Sequence, residues 1–182
     1  KLEPGELNIL KGRVWRYFEI IFGGNGKTGN PLTLRAETPG AVFITGQSNL
    51  ALAGQHLLVS GLIFRDGYTP SQSVISFRKD KTTLANNSRV TQTVIHNFTN
   101  PERFEADYWV AIYGKNNRFD HNHLEGKRNR GVTLAVRLDS EASRENYHRI
   151  DHNYFGPRPT LGSNGGETLR IGTSHFSRSN SF

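Results

Sequence analysis

Four seven-residue segments recur along this chain with matched residues at matched places, and that recurrence limits its fold more than any other feature. LVSGLIF begins at Leu58, RVTQTVI at Arg89, RFDHNHL at Arg118 and RIDHNYF at Arg149, so their starts fall 31, 29 and 31 residues apart. The second position is apolar each time, as Val59, Val90, Phe119 and Ile150, and so is the seventh, as Phe64, Ile95, Leu124 and Phe155. The fifth is Leu62, Thr93, Asn122 and Asn153. Asparagine there either tolerates a sharp turn or stacks into a side-chain ladder. A period of this length marks a solenoid, in which each repeat buries its apolar face only against its neighbours.

The runs between turn signals are short, β-branched and aromatic, with no long stripe at helical spacing. Upstream, strands are expected at Leu32–Ala36, Val42–Thr45, Leu50–Ala53 and Leu57–Phe64, separated by TPG, GQS and AGQ. The predicted architecture is therefore all-β, a right-handed parallel β-helix. An antiparallel β-sandwich also yields many short strands, but it does not explain a period near 30 with matching residues.

The 182 residues suffice for one domain with a real core. Lys and Arg number 23 against 16 Asp and Glu, a net charge of +7, which favours an anionic partner. The basic residues are scattered, and no recognition helix, aromatic-basic motif set or zinc signature speaks for nucleic acid. No apolar run is long enough to span a bilayer. Cysteine and methionine are both absent, which removes disulfides and thiolate metal sites. A chain that begins with KLEPGELNIL rather than Met is read as a mature product, a trimmed chain or a fragment, and because neither KLEPGELNIL nor SHFSRSNSF reads as a capping helix it is expected to be incomplete at both ends.

The segments PLTLRAETPG, VSGLIFRDGYTP, YGKNNRFDHNHLEGKRNRGVTL, RIDHNYFGPRP and LGSNGGETLRIGTS together resemble the polysaccharide lyase family that contains alginate lyases and chondroitinase B. That resemblance implies a parallel β-helix over residues 1–182 as a segment of the catalytic domain. It also implies β-elimination on a uronic-acid polymer, alginate before dermatan sulfate, with a calcium ion at the site, and a secreted or periplasmic location is expected. β-Elimination removes the proton at C5 of a uronate, which is poorly acidic until the neighbouring carboxylate is neutralised by a metal or by cationic side chains.

Residue by residue, the resemblance places Asn164 and Glu167, in the NGGE stretch, at metal-ligand positions; Asp139, which follows LAVRL, is a candidate further ligand. Hard oxygen donors of this kind suit calcium. Lys127 matches a groove-lining position. Arg137, Arg158 and Arg170 are candidates to grip carboxylates bidentately. His121 and His152 occupy equivalent repeat positions, which suits a scaffold role in turns, and His152 is the better candidate substrate contact. Trp109 and Tyr113 are read as aromatic packing before sugar stacking. Members of the family carry a Glu-x-Glu metal motif, a lysine base and a partner arginine in later coils. No Glu-x-Glu followed by Lys occurs here, so the matching Lys/Arg pair is expected beyond Phe182. A non-catalytic module that binds acidic glycans has the same fold and charge.

Overall fold

A computed structural model describes residues 3–159 and 165–172. Three parallel sheets wrap around one apolar interior. The first joins Leu7–Leu10, Leu32–Ala36, Leu57–Ser60, Arg89–Thr91, Arg118–Asp120 and Arg149–Asp151 in that order. The second stacks Val14–Arg16, Val42–Gln47, Leu62–Tyr68, Val94–His96, His123–Glu125 and Tyr154–Phe155. In the third, Asn49–Gln55 is followed by Ser73–Ser76, Tyr108–Ile112, Leu134–Val136 and Leu169–Ile171, while Glu19–Asn25 and Ala85–Asn86 both pair with Asn49–Gln55. The chain visits the three sheets in turn, which is the parallel β-helix predicted from the repeat.

The register matches the sequence alignment residue for residue. Leu58, Arg89, Arg118 and Arg149 are successive partners, and so are Val59, Val90, Phe119 and Ile150. Val59, Val90, Phe119 and Phe64 are wholly buried, with Ile150 and Phe155 packed against the same core. Each such side chain contributes about 1.5–3 kcal/mol through removal from water.

One expectation is corrected: Leu57–Phe64 is not a single strand. It breaks at Gly61 (φ 76), where the chain turns from the first sheet to the second. The same corner is taken by Gln92, His121 and His152, all left-handed, with φ of 51, 55 and 54. The fourth repeat position is thus the turn, and the fifth is the ladder. Asn122 Oδ1 accepts the Thr93 N–H at 2.9 Å, and Asn153 Oδ1 accepts the Asn122 N–H at 3.0 Å. These bonds satisfy backbone donors that a corner takes out of the sheets.

A second ladder lines the corner between the third sheet and the first. Ser88 Oγ accepts the Leu57 N–H, Asn117 Oδ1 accepts the Ser88 N–H, and His148 Nδ1 accepts the Asn117 N–H at 3.2 Å. Burial pushes the His148 imidazole down to about 4, so it is neutral where it accepts this bond.

Candidate functional site

The outer face of the third sheet carries a row of small residues. Strand register makes Ala51, Ser76, Ala111 and Ala135 successive neighbours, with Ile21 at one end of the row and Arg170 at the other. Alternation along each strand turns Val110, Ile112, Leu134 and Val136 into the core and leaves this row facing outward. Small side chains in such a row leave a shallow trough at Ala51 and Ser76, while Ala111 and Ala135 are covered by longer neighbours.

Cationic and aromatic groups flank it. Arg78 lies over the Tyr113 ring, 3.7 Å from its centroid, and pairs with Asp139 at 3.1 Å. One turn on, Arg137 Nη1 donates to the Tyr108 hydroxyl at 2.8 Å, a bridge between adjacent strands beside Ala111 and Ala135, both wholly buried. The Arg137 Nε is buried without a hydrogen-bond partner.

Three concavities follow the face. One of about 320 Å³ takes in Ala51, Gln72, Ser76, Arg78 and Tyr113. Another of about 210 Å³ is bordered by Tyr113, Lys115, Arg137 and Asp139. A third of about 230 Å³ is bordered by Gln72, Tyr108, Arg130, Gly131, Gly165 and Arg170. Shared lining residues, Tyr113 and Gln72, place the first beside each of the others.

Glu167 borders this face just before Leu169–Ile171. Its carboxylate accepts from Arg170 at 2.8 Å, and that hydrogen bond holds it below the usual carboxylate range. Asn164, its expected partner, lies outside the described residues. Asp139 is not brought to Glu167. Glu167 aligns with Thr133, ahead of Leu134–Val136, whereas Asp139 follows that strand and is held by Arg78. Among the described residues no three His, Cys, Asp or Glu side chains gather as a metal cage, so Glu167 is a single hard oxygen donor rather than a complete calcium site.

Lys127 does not line the groove. Its side chain is wholly buried, with Nζ donating to Asp107 Oδ1 at 2.5 Å, Asn129 Oδ1 at 2.8 Å and the Arg130 carbonyl at 3.2 Å. Burial pushes the ammonium down to about 8, against the opposing attraction of Asp107. A buried ammonium needs such a carboxylate, and Asp107 supplies it from the start of the Tyr108 strand.

Arg158 is likewise committed internally. Its Nη1 donates to the carbonyls of Gly131 and Glu167 and to the Thr133 hydroxyl, and its Nη2 to the Asn129 carbonyl.

His152 belongs to a different face. It stacks on His121 with ring centroids 4.8 Å apart, and its Nδ1 lies 2.7 Å from Asp151. Asp151 in turn receives Arg118 bidentately, and that bond, with help from His152, holds its carboxyl far below the ordinary range. Both histidines are corner residues at the junction of the first and second sheets, so His152, expected as a substrate contact, lies away from the trough on the third sheet. Trp109 is buried and donates to the Phe98 carbonyl at 2.7 Å; it packs, as expected, and does not pair with Tyr113.

Of the predicted arginines and acids, the structure brings Arg137, Arg170 and Glu167 to one outer face. Sequence reasoning missed Arg78, Tyr108, Asp107 and Asn129. The segments that carry them vary in length from coil to coil and show no repeat.

The sequence model of the family described as Chondroitinase B matches residues 1–182. Among solved structures, the PL6 family alginate lyase AlyGC superposes with a TM-score of 0.94 at 66% identity, over 96% of this chain and 24% of its own. A mannuronic acid specific polysaccharide family 6 lyase from human gut microbiota gives 0.90 at 37% identity, over 96% of this chain and 40% of its own. The family 6 polysaccharide lyase Pedsa3628 from Pseudopedobacter saltans gives 0.86 at 27% identity, over 100% and 40%. This chain therefore spans between 24% and 40% of the length of these lyases. Among curated proteins none matches it. The repeat, the three-sheet coil and the whole-length match converge: the chain belongs to the chondroitinase B family of polysaccharide lyases.

Proposed function

We propose that this chain forms a substrate face of an alginate lyase, binding a uronic-acid polymer for cleavage by calcium-assisted β-elimination. The observation that carries the reading is the trough on the third sheet, where a floor of small side chains is flanked by Arg78, Arg137 and Arg170. A polyuronate presents one carboxylate per sugar, and guanidinium groups spaced along a groove match that regular charge. Arg137 borders the cavity beside Tyr113, where its guanidinium charge faces such a carboxylate. Neutralising the carboxylate makes the C5 proton removable, because charge developing on the enolate-like transition state then faces fixed cations.

Glu167, with Asn164, contributes to the calcium site we propose, and the ion would add positive charge to the same carboxylate. The proton-transferring base and acid are proposed to belong to coils beyond Phe182. A secreted or periplasmic location follows from the size of the polymer.

The test is retardation of the chain in gels containing alginate, dermatan sulfate or uncharged dextran, together with the ultraviolet absorbance of unsaturated product, in calcium and in chelator. Alginate is expected to retard the chain, and Arg137→Ala or Arg170→Ala to weaken that binding about tenfold, the worth of one charge-assisted contact. Calcium-dependent product establishes the lyase reading. Binding with no product, from this chain or from one extended past Phe182, supports a glycan-binding module instead. Equal retardation by dextran, or indifference to both substitutions, refutes the groove.

A further inference from the structure

The concavity of about 320 Å³ lies at the opposite end of the third sheet from Arg170, and its two rims differ in charge. Register sets Glu19 beside Asn49, and Ser71 and Ser73 precede the next strand, so this rim follows the strand starts. Arg78, Lys79 and Tyr113 form the other rim, past the strand ends.

The first rim is a hydrogen-bonded set. Asn49, 8% exposed, donates through Nδ2 to Ser71 Oγ at 3.0 Å and to Glu19 Oε2 at 3.4 Å. Ser71 Oγ lies 3.1 Å from Thr69 Oγ1, which donates to the Ser73 carbonyl at 2.9 Å. These bonds fix the amide and the hydroxyl, while Glu19 is exposed and keeps most of its acceptor capacity.

A hairpin fixes the second rim. Arg78 bridges Leu84, the Lys79 N–H donates to the Thr83 carbonyl at 2.9 Å, and Asp80 Oδ1 accepts the Thr82 and Thr83 N–H groups at 2.9 and 2.8 Å. Arg78 is taken up by Asp139 and Tyr113, whereas neither Glu19 nor Lys79 enters an ion pair among the described residues.

A uronate ring carries its carboxylate on C5 and hydroxyls on C2 and C3, at opposite edges. We propose that this concavity is a remote subsite that takes one uronate across the trough, with Glu19 and Asn49 on its O2 and O3 hydroxyls and Lys79 on its carboxylate. The inference rests on the reading of the trough as a polyuronate groove. It gives a role to a carboxylate whose charge is wrong for a polyanion unless it accepts hydroxyls. A ring turned the other way sets its own carboxylate against Glu19, so the subsite also fixes orientation. Register carries the row from Ala51 through Ser76, Ala111 and Ala135 to Arg170, about 19 Å at the usual strand spacing, which separates this ring from one held by Arg170 by several sugars.

The test is calorimetric titration of the whole chain with a mannuronate oligomer long enough to reach from Glu19 to Arg170, and with the same oligomer acetylated on O2 and O3. Glu19→Ala is expected to weaken binding of the free oligomer about tenfold, the worth of a charge-assisted hydrogen bond, and Glu19→Gln to weaken it less. A bystander carboxylate does the reverse, because its removal strengthens attraction for a polyanion. On the acetylated oligomer, with no hydroxyl left to donate, Glu19→Ala is expected to lose its effect, while Lys79→Ala weakens binding of both. Unchanged or tighter binding of the free oligomer by Glu19→Ala overturns the inference, and so does an equal penalty on both oligomers. Arg170→Ala separates the subsite from the wider reading. A loss there with none in Glu19→Ala leaves the trough without this subsite, and the converse supports the subsite alone. No binding by the unaltered chain removes both.

Discussion

Replacing Asn122 by Ala tests whether the corner ladder holds the coil together. The side chain is 3% exposed and makes three bonds: Oδ1 accepts the Thr93 N–H at 2.9 Å, and Nδ2 donates to the Val90 carbonyl at 3.2 Å and to Asn153 Oδ1 at 3.0 Å. Alanine leaves the Thr93 N–H without that acceptor inside a buried corner, a cost of about 1–3 kcal/mol. Removing a donor from Val90 and the methylene packing brings the expected loss to about 3 kcal/mol. The Asn153 side chain keeps its bond from the Asn122 N–H, so the damage stays at one corner.

Urea denaturation followed by far-ultraviolet circular dichroism measures this loss. Asn122→Asp gives a second signature. An ionised Asp still accepts from Thr93 but cannot donate, and its carboxylate faces the Val90 and Asn153 oxygens, so its folded pKa rises above the unfolded value. That variant is therefore least stable at neutral pH and recovers as the pH falls and the carboxyl regains a proton to donate. A loss below about 0.5 kcal/mol in Asn122→Ala, the range of ordinary surface changes, refutes the ladder as a source of stability.

Phe119, wholly buried on the first sheet, is expected to cost about 3–5 kcal/mol as Phe119→Ala; a midpoint shift worth under about 1 kcal/mol shows that the interior collapses around the gap. At Gly131 the backbone has φ +98, and an added Cβ would overlap the Asp107 backbone, so Gly131→Ala is expected to lose about 2–4 kcal/mol in thermal unfolding; wild-type stability contradicts that close approach. His148 is held down to about 4 from 6.5 by burial, so the unfolded chain takes up the proton first on acidification. Stability then falls as the pH drops from about 6.5 towards about 4, by about 3 kcal/mol, and levels off below. In His148→Gln this acid-side loss is expected to disappear; the same pH dependence in both proteins removes His148 as its cause.

The ladders and corners were largely legible because the coils repeat. Matching residues at a fixed period put Val90 beside Phe119 and Asn122 beside Asn153 without knowledge of any coordinate. The break at Gly61 escaped notice because a glycine inside an apolar run reads equally as strand and as turn, and only the corner gave it a left-handed backbone. The site was less legible. Arg137 and Arg158 are the same residue type and both lie outside the repeat motif, yet one borders a cavity and the other is spent on three carbonyls and a hydroxyl.

The amino-acid order alone determined the solenoid, its register and its apolar interior, since those depend on which residue types recur every 30 or so positions, and each coil needs only its neighbours to bury them. Which charged groups face the groove was decided by the tertiary structure alone. Lys127 and Asp107 meet across 20 residues of non-repeating chain, and Arg158 reaches segment 129–133 across the coil boundary. Burial, not sequence spacing, decides whether a cation must find an internal partner or remains free for a polymer, and burial exists only once the coils have stacked.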